Sequence, residues 1–256
     1  MDPDRKRSFK NEVYDQFARM GKAFSSASRL ELIDLLAQRE RTVDELAEET
    51  EMSVANTSRH LQVLRKERLV RRRKEGTRAY YRLAGPEVYR AWRAMRAMAE
   101  SRLSEIEETV QRYLTDRDQL EALSPKELEE RLDRDNVIVV DVRPEEEYET
   151  GHIPGARSIP VDQIEGHLDE LPEDKGIVAY CRGPYCVYSD DAVRHLQEEG
   201  RTAYRLTEGL PDWALRDERS KAIDRPSVAC DGSLNFSPLN SIVQLSKYTN
   251  KYTPPT

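Results

Sequence analysis

Two short, unbroken apolar runs in the second half of the chain most constrain its fold. The first is Val137-Ile-Val-Val-Asp141-Val142, the second is Ile177-Val-Ala-Tyr180, and helix-like segments lie between and after them. Apolar runs of this length without polar alternation are typical of strands that are buried on both faces of a parallel sheet. The order of strands and helices therefore predicts an α/β domain with a largely parallel sheet.

A loop with two cysteines follows the second run directly. It reads Cys181-Arg182-Gly183-Pro184-Tyr185-Cys186, with Val187 next, and a helix-like segment follows from Tyr188 to Glu198. Ligands of parallel sheets bind beyond the carboxyl ends of the strands, where this loop must lie. Unpaired backbone N–H groups and the helix dipole at such a site lower the pKa of a thiol and populate its nucleophilic thiolate.

The loop length bears on which chemistry the thiol performs. Phosphatases and arsenate reductases hold a tetrahedral oxyanion with Cys-x5-Arg, whereas the sixth position after Cys181 is Val187, so phosphoryl or arsenate transfer is not expected. Cys186 has two interpretations, which the residues alone do not separate. It is either a resolving cysteine for a persulfide or sulfenic acid on Cys181, or a small buried residue with an inert thiol.

The first half of the chain predicts three short helices with marked starts. Residues 28–39 carry apolar side chains at helical spacing after Ser28, a candidate N-cap. Thr42 and Glu45 match the capping-box pattern of a second helix, and Ser53 can cap a third that runs to about Lys66. The third helix has an apolar stripe of Val54, Thr57, Leu61 and Leu64, and an opposite face with Asn56, Arg59, Gln62 and Val63.

The third helix has both a functional and an ordinary interpretation. Asn, Gln and Arg side chains on the second helix of a helix-turn-helix offer bidentate hydrogen bonds to bases in the major groove. Alternatively, the helix is amphipathic with a solvated polar face. The next segment favours DNA contact, because residues 69–83 alternate as a β-hairpin around Gly76 and carry a dense cluster of basic side chains. That cluster is Arg71, Arg72, Arg73, Lys74, Arg78 and Arg82.

Residues from about 12 to 115 resemble the winged helix-turn-helix of the ArsR/SmtB repressor family. The motifs are Glu45-Leu46-Ala47, Ser53, Ser58-Arg59-His60-Leu61-Gln62-Val63-Leu64, Leu69-Val70, Glu75-Gly76 and Tyr80-Tyr81. The resemblance implies a homodimer on a double-stranded DNA operator, with an interface of the N-terminal helix, near residues 12–20, and a long helix, near residues 86–114. The residues expected at the DNA are Ser53, Asn56, Ser58, Arg59, His60, Gln62, Arg71, Arg72, Arg73, Lys74 and Arg78.

The metal sites of that family are missing from this domain. The first helix of the helix-turn-helix carries no Cys-x-Cys, and residues 86–118 contain no histidine for a site on the last helix. We therefore expect no metal and no cofactor.

Residues from about 124 to 218 resemble a single-domain rhodanese. The motifs are Val140-Asp141-Val142-Arg143 with Glu147-Tyr148, Gly151-His152-Ile153-Pro154-Gly155-Ala156, the Cys181 loop, and Gly209 with Trp213. The resemblance implies that Cys181 takes a sulfane sulfur as a persulfide from a donor such as thiosulfate or another persulfide. It also implies that backbone N–H groups of residues 182–187 cradle the sulfur and that Arg182 attracts an anionic donor. Asp141 and Arg143 are expected to form a buried pair that fixes a loop, and His152 is expected to be structural.

The composition limits the setting. The chain has no apolar run of the ~20 residues that span a bilayer and no signal peptide, which predicts a cytoplasmic location. In a chain expected to be cytoplasmic, its three cysteines do not indicate a structural disulfide framework and are expected to be reduced, with catalytic or redox-sensing roles open to them. Residues after Arg225 are rich in Ser, Asn, Pro and Thr and predict a disordered tail with Cys230, although the abrupt change leaves open that this segment is appended or out-of-frame sequence.

The prediction is thus two domains, a mainly α winged helix-turn-helix with a β-hairpin wing and an α/β rhodanese-like domain. Their expected bounds are 1–118 for the DNA-binding and dimerisation domain, 119–123 for a linker, 124–222 for the rhodanese-like domain and 223–256 for the tail. The leading hypothesis is a regulator, expected to be a repressor, that handles or senses sulfane sulfur through Cys181. The alternatives are a sulfurtransferase enzyme with autoregulatory DNA binding, and a scaffold in which both activities have degenerated.

Overall fold

The structure is a computed structural model that describes residues 3–114 and 116–216 of the 256-residue chain. The chain divides into two compact units, Met1–Trp92 and Arg93–Thr256, here called unit 1 and unit 2. The expected disordered tail, its Cys230 and the last six residues of the expected rhodanese-like domain lie outside the described residues.

Unit 1 is mainly helical and has a small sheet. Its elements in chain order are α1 (Pro3–Phe24), α2 (Ala27–Gln38), β1 (Arg41–Thr42), α3 (Val43–Glu49), α4 (Val54–Lys66), β2 (Val70–Glu75), β3 (Arg78–Leu83) and α5 (Pro86–Glu100). The boundary between the units falls inside α5, so that its residues from Arg93 onward belong to unit 2.

The helix starts in unit 1 follow from local hydrogen bonds. The Thr42 Oγ1 accepts from the Glu45 N–H at 3.2 Å and the Thr42 N–H donates to the Glu45 carboxylate at 2.7 Å, which confirms the capping box of α3. The Ser53 hydroxyl caps α4 as expected. The N-cap predicted at Ser28 is wrong. α2 starts two residues earlier, at Ala27, after the extended residue Ser26.

The hairpin predicted around Gly76 is confirmed. β2 pairs antiparallel with β3, and the sheet order is β1-β3-β2. Gly76 has φ of 57° and so takes the left-handed conformation that the tight turn requires. The remaining strand of this sheet, β1, was not predicted, because two residues are too few to show alternation.

Three of the four residues in the predicted apolar stripe of α4 are buried. Thr57, Leu61 and Leu64 lie in the core, together with the buried leucines of α2 and α3. Val54 is 49% exposed and was wrongly assigned to the core. It is the first residue of α4 and lies almost one turn before Thr57, where the helix end extends beyond the packed residues.

Unit 2 contains an α/β fold. After α5 its helices and strands are α6 (Ser104–Tyr113), β4 (Ala122–Leu123), α7 (Pro125–Asp133), β5 (Val137–Asp141), α8 (Glu145–Thr150), β6 (Arg157–Ser158), β7 (Gly176–Tyr180), α9 (Tyr188–Glu198), β8 (Ala203–Leu206) and α10 (Leu210–Arg216). Two 3₁₀ helices, Arg117–Gln119 and Val161–Glu170, complete it. The five strands have the order β4-β8-β7-β5-β6 and every pair is parallel, which confirms the predicted sheet.

Burial on both faces of this sheet explains the unbroken apolar runs. Along β5 and β7, successive residues pack alternately into two hydrophobic clusters, so that Val139 and Val178 lie in one cluster and Val140 and Ala179 lie in the other. Residues 137–140 of β5 and 177–179 of β7 are therefore apolar without interruption.

The long helix predicted near residues 86–114 is wrong. The chain forms α5 and α6, separated by residues 101–103, where Leu103 is extended. The Ser101 hydroxyl donates to the Met98 carbonyl at 2.9 Å, which satisfies part of the α5 terminus, and Glu105 and Glu107 favour a new helix start. The apolar pattern continues across the break, so periodicity alone does not detect it.

The segment 119–123, expected to be a linker, takes part in the sheet. Ala122 and Leu123 form β4, which pairs with β8. A capping box of Ser124 and Glu127 follows, with Pro125 as the first residue of α7. Among the described residues, no helix is long and apolar enough to cross a membrane.

Candidate functional site

The candidate site is the loop of residues 181–187 between β7 and α9. Cys181 and Cys186 are joined by a disulfide, so the expectation that these cysteines are reduced is wrong for this structure. Cys181 is 2% exposed and Cys186 is half-buried. The Cys186 N–H donates to the Gly183 carbonyl at 3.1 Å, so this N–H closes a turn inside the loop rather than facing a ligand. In this oxidised form neither sulfur is a thiolate.

A buried polar network lies beneath the loop and confirms the expected pair of Asp141 and Arg143. The Arg143 guanidinium donates to the Asp141 carboxylate from Nε at 2.9 Å and from Nη2 at 2.6 Å, and both side chains are fully buried. Burial alone would lower the pKa of Arg143, but Asp141 outweighs it and the pKa is raised. Tyr180, directly before Cys181, donates its hydroxyl to Asp141 and accepts from the Ile153 N–H at 3.0 Å. Its pKa is raised well above the ordinary value by burial and then by Asp141.

Arg182 is paired with a carboxylate that has no exposure to solvent. Its Nε lies 2.9 Å and its Nη2 lies 2.6 Å from Oε1 of Glu147. The other oxygen of Glu147 lies 3.8 Å from Nη1 of Arg143. Glu147 therefore compensates the charge of Arg182, which was expected to attract an anionic donor.

Gly209 supports the loop backbone from the side of α10. A Cβ at this position would overlap the Arg182 carbonyl group and the Gly183 nitrogen. Only a glycine allows the two backbones to approach this closely. This packing gives Gly209 a reason to belong to the motif, while Trp213, four residues later, is buried in the core.

Two contacts outside the sheet hold the middle of the loop, and both lie within unit 2. The Tyr185 hydroxyl donates to Oε1 of Glu100 at 2.6 Å, and Nη2 of Arg117 donates to the Pro184 carbonyl at 2.6 Å. The Nε of Arg117 also lies 3.0 Å from the buried carboxylate of Asp190. Sequence reasoning missed these three charged partners, because nothing distinguishes them in a chain that is 35% charged.

The histidine of the Gly-His-Ile-Pro-Gly turn has a structural environment. The ring of His152 stacks on Tyr148 with centroids 3.8 Å apart, and Nδ1 lies 3.0 Å from the Tyr148 carbonyl oxygen. Within residues 3–114 and 116–216, no group of three or more His, Cys, Asp or Glu side chains is arranged to hold a metal ion.

The residues expected to read bases lie on the open side of α4. Asn56, Arg59 and Gln62 are exposed, as is the capping residue Ser53, whereas Ser58 and His60 are half-buried. The pKa of His60 is lowered by partial burial and then by the charges of Arg29 and Arg59, so its ring is neutral at pH 7. It can therefore donate or accept a hydrogen bond but contributes little charge.

The basic residues of the hairpin are not equivalent. Arg71, Arg72, Lys74 and Arg78 are exposed and make no ion pair within the part of the chain that the structure describes. Arg73 differs, because its Nη2 lies 2.9 Å from a carboxylate oxygen of Glu40, its Nη1 pairs with Glu75, and its guanidinium lies over the Tyr80 ring at 4.6 Å. Its pKa is raised by the hydrogen bonds to these carboxylates.

Comparison with known proteins finds a different family match in each half of the chain. Residues 26–72 match the family described as bacterial regulatory protein, arsR family, and residues 124–216 match the rhodanese-like domain. The HTH-type transcriptional regulator Rv0324 of Mycobacterium tuberculosis is 43% identical over 206 residues, which are 80% of this chain and 90% of that protein.

Other matches cover one half of the chain. A sulfurtransferase of Allochromatium vinosum is 33% identical over 93 residues, which are 36% of this chain and 86% of that protein. The solution structure of the homodimeric winged helix-turn-helix DNA-binding domain Mb0332 of Mycobacterium bovis is 42% identical, covers 40% of this chain and 92% of that chain, and has a TM-score of 0.36. With its match to Rv0324 across nearly the whole length of that regulator, the chain belongs to the ArsR family of bacterial transcriptional regulators, in a form that continues into a rhodanese-like domain.

Proposed function

We propose that this regulator carries or senses sulfane sulfur through a persulfide on Cys181 and that the state of the Cys181–Cys186 loop changes its affinity for DNA. The observation that carries the proposal is the disulfide itself. It joins two cysteines of a rhodanese-like loop, in a chain whose helix-turn-helix has no cysteine.

The DNA-binding face supports an operator of double-stranded DNA. Asn56, Arg59 and Gln62 are exposed on one helix, in the position from which a recognition helix reads bases in the major groove. The exposed cations of the hairpin suit the phosphates beside that groove. The protein acts as a repressor in the cytoplasm, where bacterial DNA lies.

Exposed aromatic residues on α1 support a homodimer. Phe9, Tyr14 and Phe17 are more than half exposed, and Met20 lies on the same helix with 40% exposure. A surface helix with this much exposed apolar area is typical of an interface. Sedimentation equilibrium of the protein and of Phe17→Glu tests this, with a dimer expected for the former and a shift toward monomer for the latter. A monomeric unsubstituted protein would contradict it.

The oxidised loop opens by attack at Cys186, because its sulfur is half-buried whereas Cys181 is 2% exposed. A low-molecular-weight thiolate bonds to the Cys186 sulfur, the disulfide breaks, and Cys181 leaves as a thiolate. A second thiolate releases Cys186 as a thiolate and forms the disulfide of the reductant. The Cys181 thiolate then attacks the outer sulfur of a donor. Thiosulfate loses sulfite in this step and an alkyl persulfide loses a thiolate, and each leaves one sulfur on Cys181.

A second function is favoured by similarity to a sulfurtransferase. The part of the chain that carries the cysteine loop matches 86% of the length of that protein. In this alternative the protein is an enzyme that delivers sulfur to an acceptor, and DNA binding only regulates its own gene. Catalytic turnover with thiosulfate or a persulfide, together with an operator affinity that does not depend on the sulfur state of the cysteines, would favour it.

The deciding experiment combines mass spectrometry with DNA titration. DNA fragments that the protein selects from its genome are titrated with the disulfide, the reduced and the persulfide-loaded protein, and the cysteines of the same samples are identified by mass. We expect the dissociation constant to change about 5- to 150-fold between states, which is the usual range of allosteric coupling. Cys181→Ser should abolish the change. A response that survives in Cys181→Ser would overturn the proposal.

A further inference from the structure

Tyr185 is the exposed side chain at the centre of the disulfide loop, and it bonds to the last residue of α5. Its hydroxyl donates to Oε1 of Glu100 at 2.6 Å, and both residues belong to unit 2. A hydrogen bond to a carboxylate is about twice as strong as one between neutral groups. Partial burial and then Glu100 raise the pKa of Tyr185, so the hydroxyl keeps its proton at pH 7.

The disulfide constrains the segment that carries Tyr185. Pro184 and Tyr185 are inside the covalent ring that Cys181 and Cys186 close. The Pro184 carbonyl accepts from Arg117, whose guanidinium is itself held by the buried Asp190 at the start of α9. When the disulfide opens, the ring constraint disappears and the segment between the two cysteines gains conformational freedom.

Two ion pairs hold the second half of α5 to α10. Nη2 of Arg96 lies 2.8 Å and Nε of Arg93 lies 3.0 Å from Oδ1 of Asp212, a fully buried residue of α10. Both ion pairs join α5 to α10, and none of their atoms belongs to the loop. Glu100 lies one turn after Arg96, whose Nε is 3.7 Å from its Oε1, and the same oxygen accepts the shorter hydrogen bond from Tyr185 of the loop.

We propose that Tyr185 and Glu100 are a positioning pair that transmits the state of the Cys181–Cys186 loop to α5. The disulfide form keeps the Tyr185–Glu100 hydrogen bond and so stabilises the carboxyl end of α5. Opening the disulfide releases the bond and loosens that end. α5 is one continuous helix that begins at Pro86 in unit 1, the DNA-binding unit, and ends at Glu100 in unit 2. The residue that the loop contacts is therefore connected to the DNA-binding unit through this helix. The inference rests on the proposed function for its link to DNA.

An ordinary dithiol reductant balances the reaction that opens the Cys181–Cys186 disulfide. Each cysteine sulfur takes up one proton and one electron from the dithiol, whose two sulfurs join in a new disulfide. No further oxidant or cofactor takes part.

Hydrogen exchange of the full-length protein tests the pair without DNA. In the disulfide form, peptides that cover residues 97–103 should be protected, and reduction with dithiothreitol should speed their exchange about tenfold, the factor expected from the loss of one hydrogen bond to a charged group. Tyr185→Phe and Glu100→Ala should exchange at the fast rate in both states, and the double variant should match either single variant. Tyr113→Phe, an exposed tyrosine of α6, is the matched control and should behave as the unsubstituted protein.

DNA titration of the same variants then separates the two proposals. Tyr185→Phe should reduce the ratio of dissociation constants between disulfide and reduced protein at least fivefold, while mass spectrometry still finds the disulfide. Exchange at residues 97–103 that reduction leaves unchanged would overturn the positioning pair, as would a Tyr185→Phe variant with the full response. Exchange that responds while DNA affinity does not would refute the proposed function but leave the contact between loop and α5 intact.

Discussion

Arg182, the residue after Cys181, places two guanidinium nitrogens within 2.9 Å of a single oxygen of Glu147, and the Glu147 side chain is completely buried. The same carboxylate faces Arg143 on its other side, at 3.8 Å. Two arginines and two carboxylates, Glu147 and Asp141, therefore form a neutral set beneath the cysteine loop. The loop is positioned by charge pairs inside the domain rather than by an excess of positive charge.

Glu147→Gln should destabilise the rhodanese-like domain by about 3–5 kcal/mol, the cost of leaving a buried charge without its partner. The free energy of unfolding can be measured with urea through the fluorescence of Trp213 in a Trp92→Phe background. Glu149→Gln, two residues away and exposed, is the control and should change stability by less than about 0.5 kcal/mol. Equal effects of the two substitutions would show that the pair contributes nothing.

Gly209→Ala should slow the transfer of sulfur from thiosulfate to reduced Cys181 by about a hundredfold. The added Cβ pushes on the Arg182 carbonyl, and a displacement of about 1 Å at a reacting group costs a factor of this size. The rate can be followed by mass spectrometry of the persulfide. Gly166→Ala is the matched control, since a Cβ there meets no atom within 4 Å. Unchanged loading in Gly209→Ala would mean that the loop tolerates the shift.

Arg72→Ala and Arg73→Ala should differ in their effect on DNA binding. Arg72 is exposed and its loss should reduce the slope of log affinity against log salt by about 0.9, the value for one phosphate contact. Arg73 is held by Glu40 and Glu75, so its loss should leave the slope nearly unchanged. Titrations over a range of salt concentrations measure both slopes. The prediction fails if Arg73→Ala reduces the slope as much as Arg72→Ala does.

A monothiol should attack the disulfide at Cys186. Treating the oxidised protein with glutathione and iodoacetamide together should trap a mixed disulfide on Cys186 and an alkyl group on Cys181, because the Cys186 sulfur is the more accessible of the two. Peptide mass spectrometry distinguishes the two products. The reverse pattern, with glutathione on Cys181, would show that accessibility in the closed loop does not direct the attack.

Helices and strands that are determined by a few neighbouring residues were predictable. The bounds of α9, the strands β5 and β7 and the capping boxes at Thr42 and Ser124 follow from apolar runs and from hydrogen bonds across three residues. The break between α5 and α6 was not predictable, because the apolar pattern is the same on both sides and the interruption depends on local backbone geometry at Leu103.

The sequence by itself determined the two domains, the cysteine loop at the end of a parallel strand, and the helix and hairpin with exposed basic and amide side chains. Tertiary structure alone decided which charged groups surround the loop. The partners of Arg182, Pro184 and Tyr185 lie 35, 67 and 85 residues away along the chain. In a chain rich in both charges almost any such pairing is chemically acceptable, and only the packing of α5, α8 and the 3₁₀ helix at residues 117–119 selects the pairs that form.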